Sequence, residues 1–185
     1  TVPVTGLGAF SFYPGKNLGS FGDGGALVTN SKAIATLTEE LRNDGSLKKY
    51  HHDIIGFKSR LDTLQAAILN IKLKYLRRWN QLRCRHARLY SQLLKDIPQI
   101  KLPIEASYAH HVYHLYMIEA SHRDQLQKYL SRHGIATVIH YPIPIHLQAA
   151  YKSLGFHKGS FPITETAAKK LLSLPMFPEL TDAEI

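Results

Sequence analysis

Cysteine is nearly absent, with Cys84 the single one in 185 residues. That excludes an intrachain disulfide and a cysteine-built zinc cluster, and it fits a reducing cytoplasm. Long apolar runs are missing too: none approaches the length of a membrane span, and no signal-peptide pattern opens the chain. Acidic residues are the scarcer charge, 14 Asp and Glu against 23 Lys and Arg, for a formal net charge of +9. Such an excess suits a polyanionic partner, an enzyme handling diphosphate-bearing substrates, or part of a larger protein, and charge alone does not choose. Apolar material is plentiful at 44% of residues, enough for one sizeable core or two small ones.

The stretch from Ala9 to Ala26 organises the rest. It reads as a short strand (Ala9–Phe12), a Pro/Gly loop carrying Lys16, a glycine-rich turn and a second strand (Ala26–Thr29). Pro14 and the loop backbone hold this lysine in place, as a lysine that must meet a carbonyl requires. A solvated surface lysine in a turn is the plainer reading of the same residues taken singly.

Further on, Asn30 or Ser31 caps a helix running to about Asp44, with Gly45 as its stop. A polar connector, 46–59, contains His51 and His52; adjacent side chains rarely converge on one ion and no third ligand is evident, so a metal site is rejected. Ser59-Arg-Leu-Asp62 is a capping box that opens a helix to about Lys95. Steps of about 100° gather Leu61, Leu64, Ile68, Ile71, Tyr75, Trp79, Leu82, Leu89 and Leu93 on one side of it. Lys74, Arg77, Arg78, Arg85 and Arg88 fall opposite, as a solvated face or a nucleic-acid footprint; no aromatics interleave to stack bases.

His110–Ile118 reads as a strand, rich in aromatic and β-branched residues. Alternation along it puts His111 and His114 on opposite faces, against a metal site. Ser121-His-Arg-Asp124 caps a helix that Gly134 ends, and Ile135–Ile139 forms the next strand. A strand, helix and strand in this order suggest a small α+β domain. Two prolines then stiffen His140-Tyr141-Pro-Ile-Pro-Ile-His146. Thr181-Asp-Ala-Glu184 is a last capping box, with no helix following it. That end, and the abrupt opening at Thr1-Val-Pro-Val4, give the expectation of a fragment.

Ser11-Phe-Tyr-Pro-Gly-Lys16-Asn-Leu-Gly19, followed by Gly22-Asp-Gly-Gly-Ala26, closely resembles the cofactor-lysine segment of the nucleotide-sugar aminotransferases, the DegT/DnrJ/StrS family. The resemblance runs along the whole chain, through Tyr50-His-His52, Gly56-Phe-Lys58-Ser-Arg-Leu-Asp62, His140-Tyr-Pro-Ile-Pro-Ile-His146-Leu-Gln and Leu174-Pro-Met-Phe-Pro178. It implies an α/β fold, the PLP-dependent transferase fold type I. Residues 1–58 would end the large cofactor domain, 59–95 form a linking helix, and 96–185 a small α+β domain.

By the same resemblance Lys16 forms a Schiff base with pyridoxal 5'-phosphate (PLP) and Ser11 bonds the cofactor phosphate. The connector reaches the active site of a partner subunit in a homodimer, and Lys58 stands where the family has a phosphate-contacting asparagine. A lysine meets a phosphate as a point charge. Tyr13, His140, Tyr141 and His146 lie where substrate-binding residues are expected, near the mouth of the site. The implied reaction carries an amino group from L-glutamate to the keto sugar of a nucleoside-diphosphate sugar, in deoxyamino sugar or polysaccharide biosynthesis. The loop leans towards 3-keto-6-deoxyhexoses. No metal, membrane or nucleic acid takes part. The resemblance also implies an amino-terminal portion holding the acidic partner of the pyridine nitrogen, without which residues 1–185 would not transaminate alone. Two other readings stand beside this one: a PLP-binding regulator or dehydratase, the latter disfavoured because such relatives carry histidine at the Lys16 position, and a basic nucleic-acid-binding module.

Overall fold

The computed structural model describes residues 6–185, so the Thr1–Val4 opening lies outside the described residues. The chain divides into two compact units at Arg77–Arg78.

In the first unit, β1 (Leu7–Ser11) and β2 (Gly25–Thr29) pair antiparallel, from Leu7 opposite Thr29 to Ser11 opposite Gly25. Helix α1 (Lys32–Arg42) begins as its sequence predicts, with the Ser31 hydroxyl accepting the Ile34 N–H at 3.4 Å. It closes at Gly45, whose N–H donates to the Glu40 carbonyl at 2.9 Å with φ at +74°. A Cβ there would sit 1.7 Å from the Ile54 carbonyl oxygen, so the connector folds back onto bare backbone.

That return path displaces the next helix start. The Phe57 and Ser59 N–H groups donate to the Leu41 and Arg42 carbonyls, and Lys58 bridges Asn43. The Ser59 capping box therefore does not form; the chain stays extended and α2 runs over Thr63–Leu94. The first turn closes on Asp62, whose carbonyl accepts the Ala66 N–H. Each unit takes part of this helix.

The second unit is built on the far part of α2 and a three-stranded antiparallel sheet ordered β3 (Ile100–Lys101), β4 (Tyr116–Ala120), β5 (Leu171–Leu174). Helix α3 (Arg123–Arg132) and helix α4 (Pro162–Lys170) complete it, with two short 3-10 turns over Ile145–Leu147 and Ala149–Leu154. Ala87, Tyr90, Tyr116, Ile118 and Leu172 form the core, with the Tyr90 and Tyr116 rings stacked 5.0 Å apart.

The buried face of α2 is turned from the expected one. Arg83, His86, Ala87 and Tyr90 are buried, whereas Leu64, Ile71, Tyr75 and Leu93 are exposed and Leu82 and Leu89 half-buried. In this unit the shift is one residue, about 100° of helix. Its cause is hydrogen bonding to irregular chain: Arg83 Nη1 donates to the carbonyls of Tyr113, His114 and Met176 at 3.2, 3.2 and 2.9 Å. His86 Nε2 bonds the Pro178 carbonyl at 3.1 Å and the Tyr90 hydroxyl donates to Pro175 at 3.0 Å. Arg83, His86 and Tyr90 thus enter the interior with at least one carbonyl partner apiece. Lys74, Arg77, Arg78, Arg85 and Arg88 are exposed, with Arg85 paired to Asp182.

Three further expectations change. The strand expected at His110–Ile118 starts only at Tyr116, so His111 and His114 are not on strand faces. Glu105 captures the His111 N–H at 2.7 Å and the Tyr113 hydroxyl at 3.3 Å, and Tyr113 takes φ +42°. Ser121 gives its N–H to the Gln99 carbonyl, and α3 starts beyond it with no side-chain cap. Residues Ile135–Ile139 make only one bridge, Val138 to Ser173, in place of a strand. The Thr181–Glu184 box forms both of its reciprocal hydrogen bonds. No helix of the described residues is long and apolar enough to cross a membrane.

Candidate active site

Lys16 ends a tight turn that Pro14 and Gly15 make. Its N–H donates to the Tyr13 carbonyl at 2.8 Å, and the side chain is half-buried. Pro14 presets the second position of such a turn. The return chain closes tightly beneath: a Cβ on Gly19 would lie 2.3 Å from the Pro14 carbonyl oxygen and 2.9 Å from that of Tyr13. Ser20 is buried and donates both its N–H and its hydroxyl to the Phe12 carbonyl at 2.8 Å, while the Phe12 N–H reaches Gly24. The lysine side chain is thereby carried by a turn fixed through main-chain bonds on both sides.

Ser11, the last residue of β1, is exposed two residues before that turn. Its Oγ accepts the Tyr13 N–H at 3.3 Å, which leaves the hydroxyl hydrogen available to an anion. The Tyr13 ring is exposed beside them. An amine, a hydroxyl donor and a loop packed to the exclusion of one methyl group are a donor set that fits an aldehyde carrying a phosphate. Lys58 lies elsewhere in this unit, on the connector, 73% exposed and paired with Asp44 at 3.8 Å.

His140, Tyr141 and His146 belong to the second unit and are held differently from one another. His140 Nδ1 bonds the Ser173 hydroxyl at 2.8 Å. His146 Nε2 lies 3.0 Å from Glu165 Oε1, with only 8% and 11% of the two side chains exposed. The Glu165 carboxylate also accepts the N–H groups of Gly159 and Phe161 at 2.8 and 3.3 Å. Burial would raise its pKa, but the bonds from Gly159, His146 and Phe161 outweigh that and hold it below the usual carboxylate range. Tyr141 is 72% exposed. Among the described residues, no group of three or more His, Cys, Asp or Glu side chains is placed to hold a metal ion.

Sequence reading missed the residues that support these sites. Ser20, Gln65 and Lys72 brace the lysine loop, and Ser173 and Glu165 brace the two histidines. Each acts on a partner far along the chain or through main chain, so even Ser20, Gln65 and Ser173, which lie in or beside motifs, carried no local signal of it.

Comparison with known proteins places these features in context. Residues 4–185 match the model of the DegT/DnrJ/EryC1/StrS aminotransferase family. The chain is 46% identical over 177 residues to a protein of Geobacillus stearothermophilus named pleiotropic regulatory protein, covering 95% of this chain and 48% of that protein. It is 46% identical over 174 residues to a dTDP-3-amino-3,4,6-trideoxy-alpha-D-glucose transaminase of Streptomyces venezuelae, covering 94% and 46%. Among solved structures, S. venezuelae DesV in complex with a ketimine intermediate superposes with a TM-score of 0.93 at 45% identity, covering 96% of this chain and 48% of DesV. The chain therefore spans about half the length of the curated relatives it matches.

Proposed function

The chain belongs to the DegT/DnrJ/EryC1/StrS aminotransferase family, and from that premise we propose that the whole protein is a PLP-dependent aminotransferase. It would move an amino group from L-glutamate to the keto carbon of a nucleoside-diphosphate sugar, with a 3-keto-6-deoxyhexose as the favoured class. The observation that carries the reading is the Lys16 turn, tethered by its own backbone and closed beneath by Gly19.

Bound PLP supplies the electron sink that makes the donor's α-proton removable. The chain's residues do the rest. Lys16 Nζ attaches the cofactor and, once released, moves the proton at the donor's α-carbon. Its fixed turn sets the backbone position from which that nitrogen reaches the donor. The Ser11 hydroxyl donates to the phosphate. Tyr13 and Tyr141, both exposed, offer flat faces and hydroxyls to the sugar nucleotide. His140 and His146 act at one remove, orienting their segment through Ser173 and Glu165. Lys58 meets the phosphate of a partner subunit's cofactor in a homodimer, exchanging Asp44 for a stronger anion.

Borohydride reduction of the full-length protein followed by peptide mapping tests this. PLP is expected on Lys16, and Lys16→Ala should abolish amination across a panel of nucleotide keto sugars with glutamate. Label on another lysine, or undiminished turnover in Lys16→Ala, would overturn the assignment. The regulatory name of the Geobacillus relative supports a second reading, a PLP-binding regulator. That reading requires label on Lys16 with no turnover of any sugar in the panel.

A further inference from the structure

Helix α2 makes polar contacts to the loop after Lys16 that the proposed chemistry does not use. Lys72 donates from Nζ to the Gly19 carbonyl, and its ammonium lies 5.5 Å from the centroid of the Phe21 ring. Two helical turns earlier on the same face of α2, Gln65 Oε1 accepts the Phe21 N–H at 2.8 Å. The same helix thus holds the returning strand of the loop at two main-chain points, one of them by a charge-assisted bond.

What these contacts hold is mechanically tied to Lys16. The Gly19 backbone lies against the Tyr13 and Pro14 carbonyls with no room for a methyl group between them. The Tyr13 carbonyl is the acceptor of the Lys16 N–H. Any shift of Gly19 towards the turn is therefore blocked by main chain, and any shift away removes the floor on which the turn rests. Lys72 governs that second movement, because it pulls on the carbonyl of the residue that forms the floor.

We propose that Lys72, assisted by Gln65, is a positioning residue for Lys16: a clamp from α2 that sets where the reactive amine stands. This rests on the reading of Lys16 as the cofactor lysine. It assigns to Lys72 no contact with cofactor or substrate.

The test uses full-length protein with Lys72→Met, Lys72→Arg and Gln65→Leu. In cofactor-free protein, Lys72→Met should speed amide hydrogen exchange at Lys16 and Ser20 about tenfold, the scale that loss of one charge-assisted bond supports. In the loaded enzyme it should shift the pH midpoint of the cofactor's visible band. It should also lower kcat about tenfold while the KM for the sugar nucleotide stays within about twofold, as expected when only the reacting geometry is lost. Lys72→Arg should restore most of both, and Gln65→Leu should move each readout the same way by a smaller factor. Unchanged exchange in Lys72→Met and Gln65→Leu would overturn the clamp. Faster exchange with an unchanged pH midpoint and kcat would overturn the positioning role. If Lys72→Met does not fold, Gln65→Leu decides by the same readouts. Cofactor found on a lysine other than Lys16 would overturn the functional reading and this proposal with it; label on Lys16 with unchanged exchange would overturn the clamp alone.

Discussion

The Lys16 N–H is bound to the Tyr13 carbonyl at 2.8 Å, and that same carbonyl faces the Gly19 backbone with no space for a side chain between them. One peptide group therefore ties the proposed cofactor lysine to both limbs of its loop. A substitution at Gly19 and one at Gly15 should differ sharply. In Gly19→Ala the new Cβ meets backbone oxygen at 2.3 Å, whereas in Gly15→Ala it meets the Tyr13 ring at an ordinary 3.6 Å. Forced overpacking costs about 1–3 kcal/mol. Gly19→Ala should release PLP on dialysis at least about tenfold faster than wild type, given that cost. Gly15→Ala should stay within about twofold, as for a tolerated surface change. Equal retention in the two variants would contradict this account of the loop.

Arg83 predicts a large stability effect from a residue far from any chemistry. Its guanidinium is buried and serves three carbonyls. Burial lowers its pKa, partly offset by Glu179. Arg83→Met fills much of the same volume but leaves those carbonyls without their donor. Urea unfolding of the full-length protein should show a loss of about 3 kcal/mol, the scale of several orphaned buried acceptors. Exposed Arg78→Ala should change stability by about 0.5 kcal/mol or less.

Glu165 predicts an acid transition local to its loop. Its pKa is lowered on folding, so its contribution is present above the unfolded value and is lost as pH falls through the folded one. The Gly159 and Phe161 amides, both bonded to this carboxylate, should be protected at neutral pH and lose protection on acidification below the usual carboxylate range. Glu165→Gln should abolish that transition and lower neutral-pH protection about tenfold. Hydrogen exchange read by mass spectrometry checks it, and identical profiles in the two proteins would count against the role given to the carboxylate.

Subunit mixing checks the place given to Lys58. Lys16→Ala and Lys58→Ala proteins, each inactive alone, should recover up to about a quarter of wild-type activity after exchange, because random pairing makes half the dimers mixed and each mixed dimer has one intact site. Demonstrated exchange with no recovered activity would exclude a site shared between subunits.

Signals that close within a few residues were legible. Ser31 caps α1, Gly45 ends it, Thr181 and Glu184 bond reciprocally, and Pro14 with Gly15 builds the Lys16 turn. Signals contested by distant groups were not. Ser59 looks like a cap until Arg42 takes its N–H, and Ser121 until Gln99 does. The aromatic run from His110 has strand character, yet Glu105 intercepts it before Tyr116. Hydrophobic periodicity misplaced the inner face of α2 because Arg83 and His86 are buried by virtue of carbonyl partners, which no pattern of apolar residues records. At the candidate site the lysine was legible and its props were not: nothing near Gln65 or Lys72 in sequence indicates that they reach back to Phe21 and Gly19.

The inward polar stripe of α2 also sets a clock on synthesis. Arg83, His86 and Tyr90 leave the ribosome 93, 92 and 85 residues ahead of the carbonyls at Met176, Pro178 and Pro175 that complete their bonding. Until those acceptors emerge, the imidazole and the phenol must stay hydrated and the guanidinium lacks the Met176 carbonyl, so the helix cannot turn that side inward without stranding them. The second unit is consequently expected to mature only once residues 175–178 have emerged, not progressively, and a nascent chain stalled before residue 175 should keep this face of α2 wet and open to proteases and chaperones.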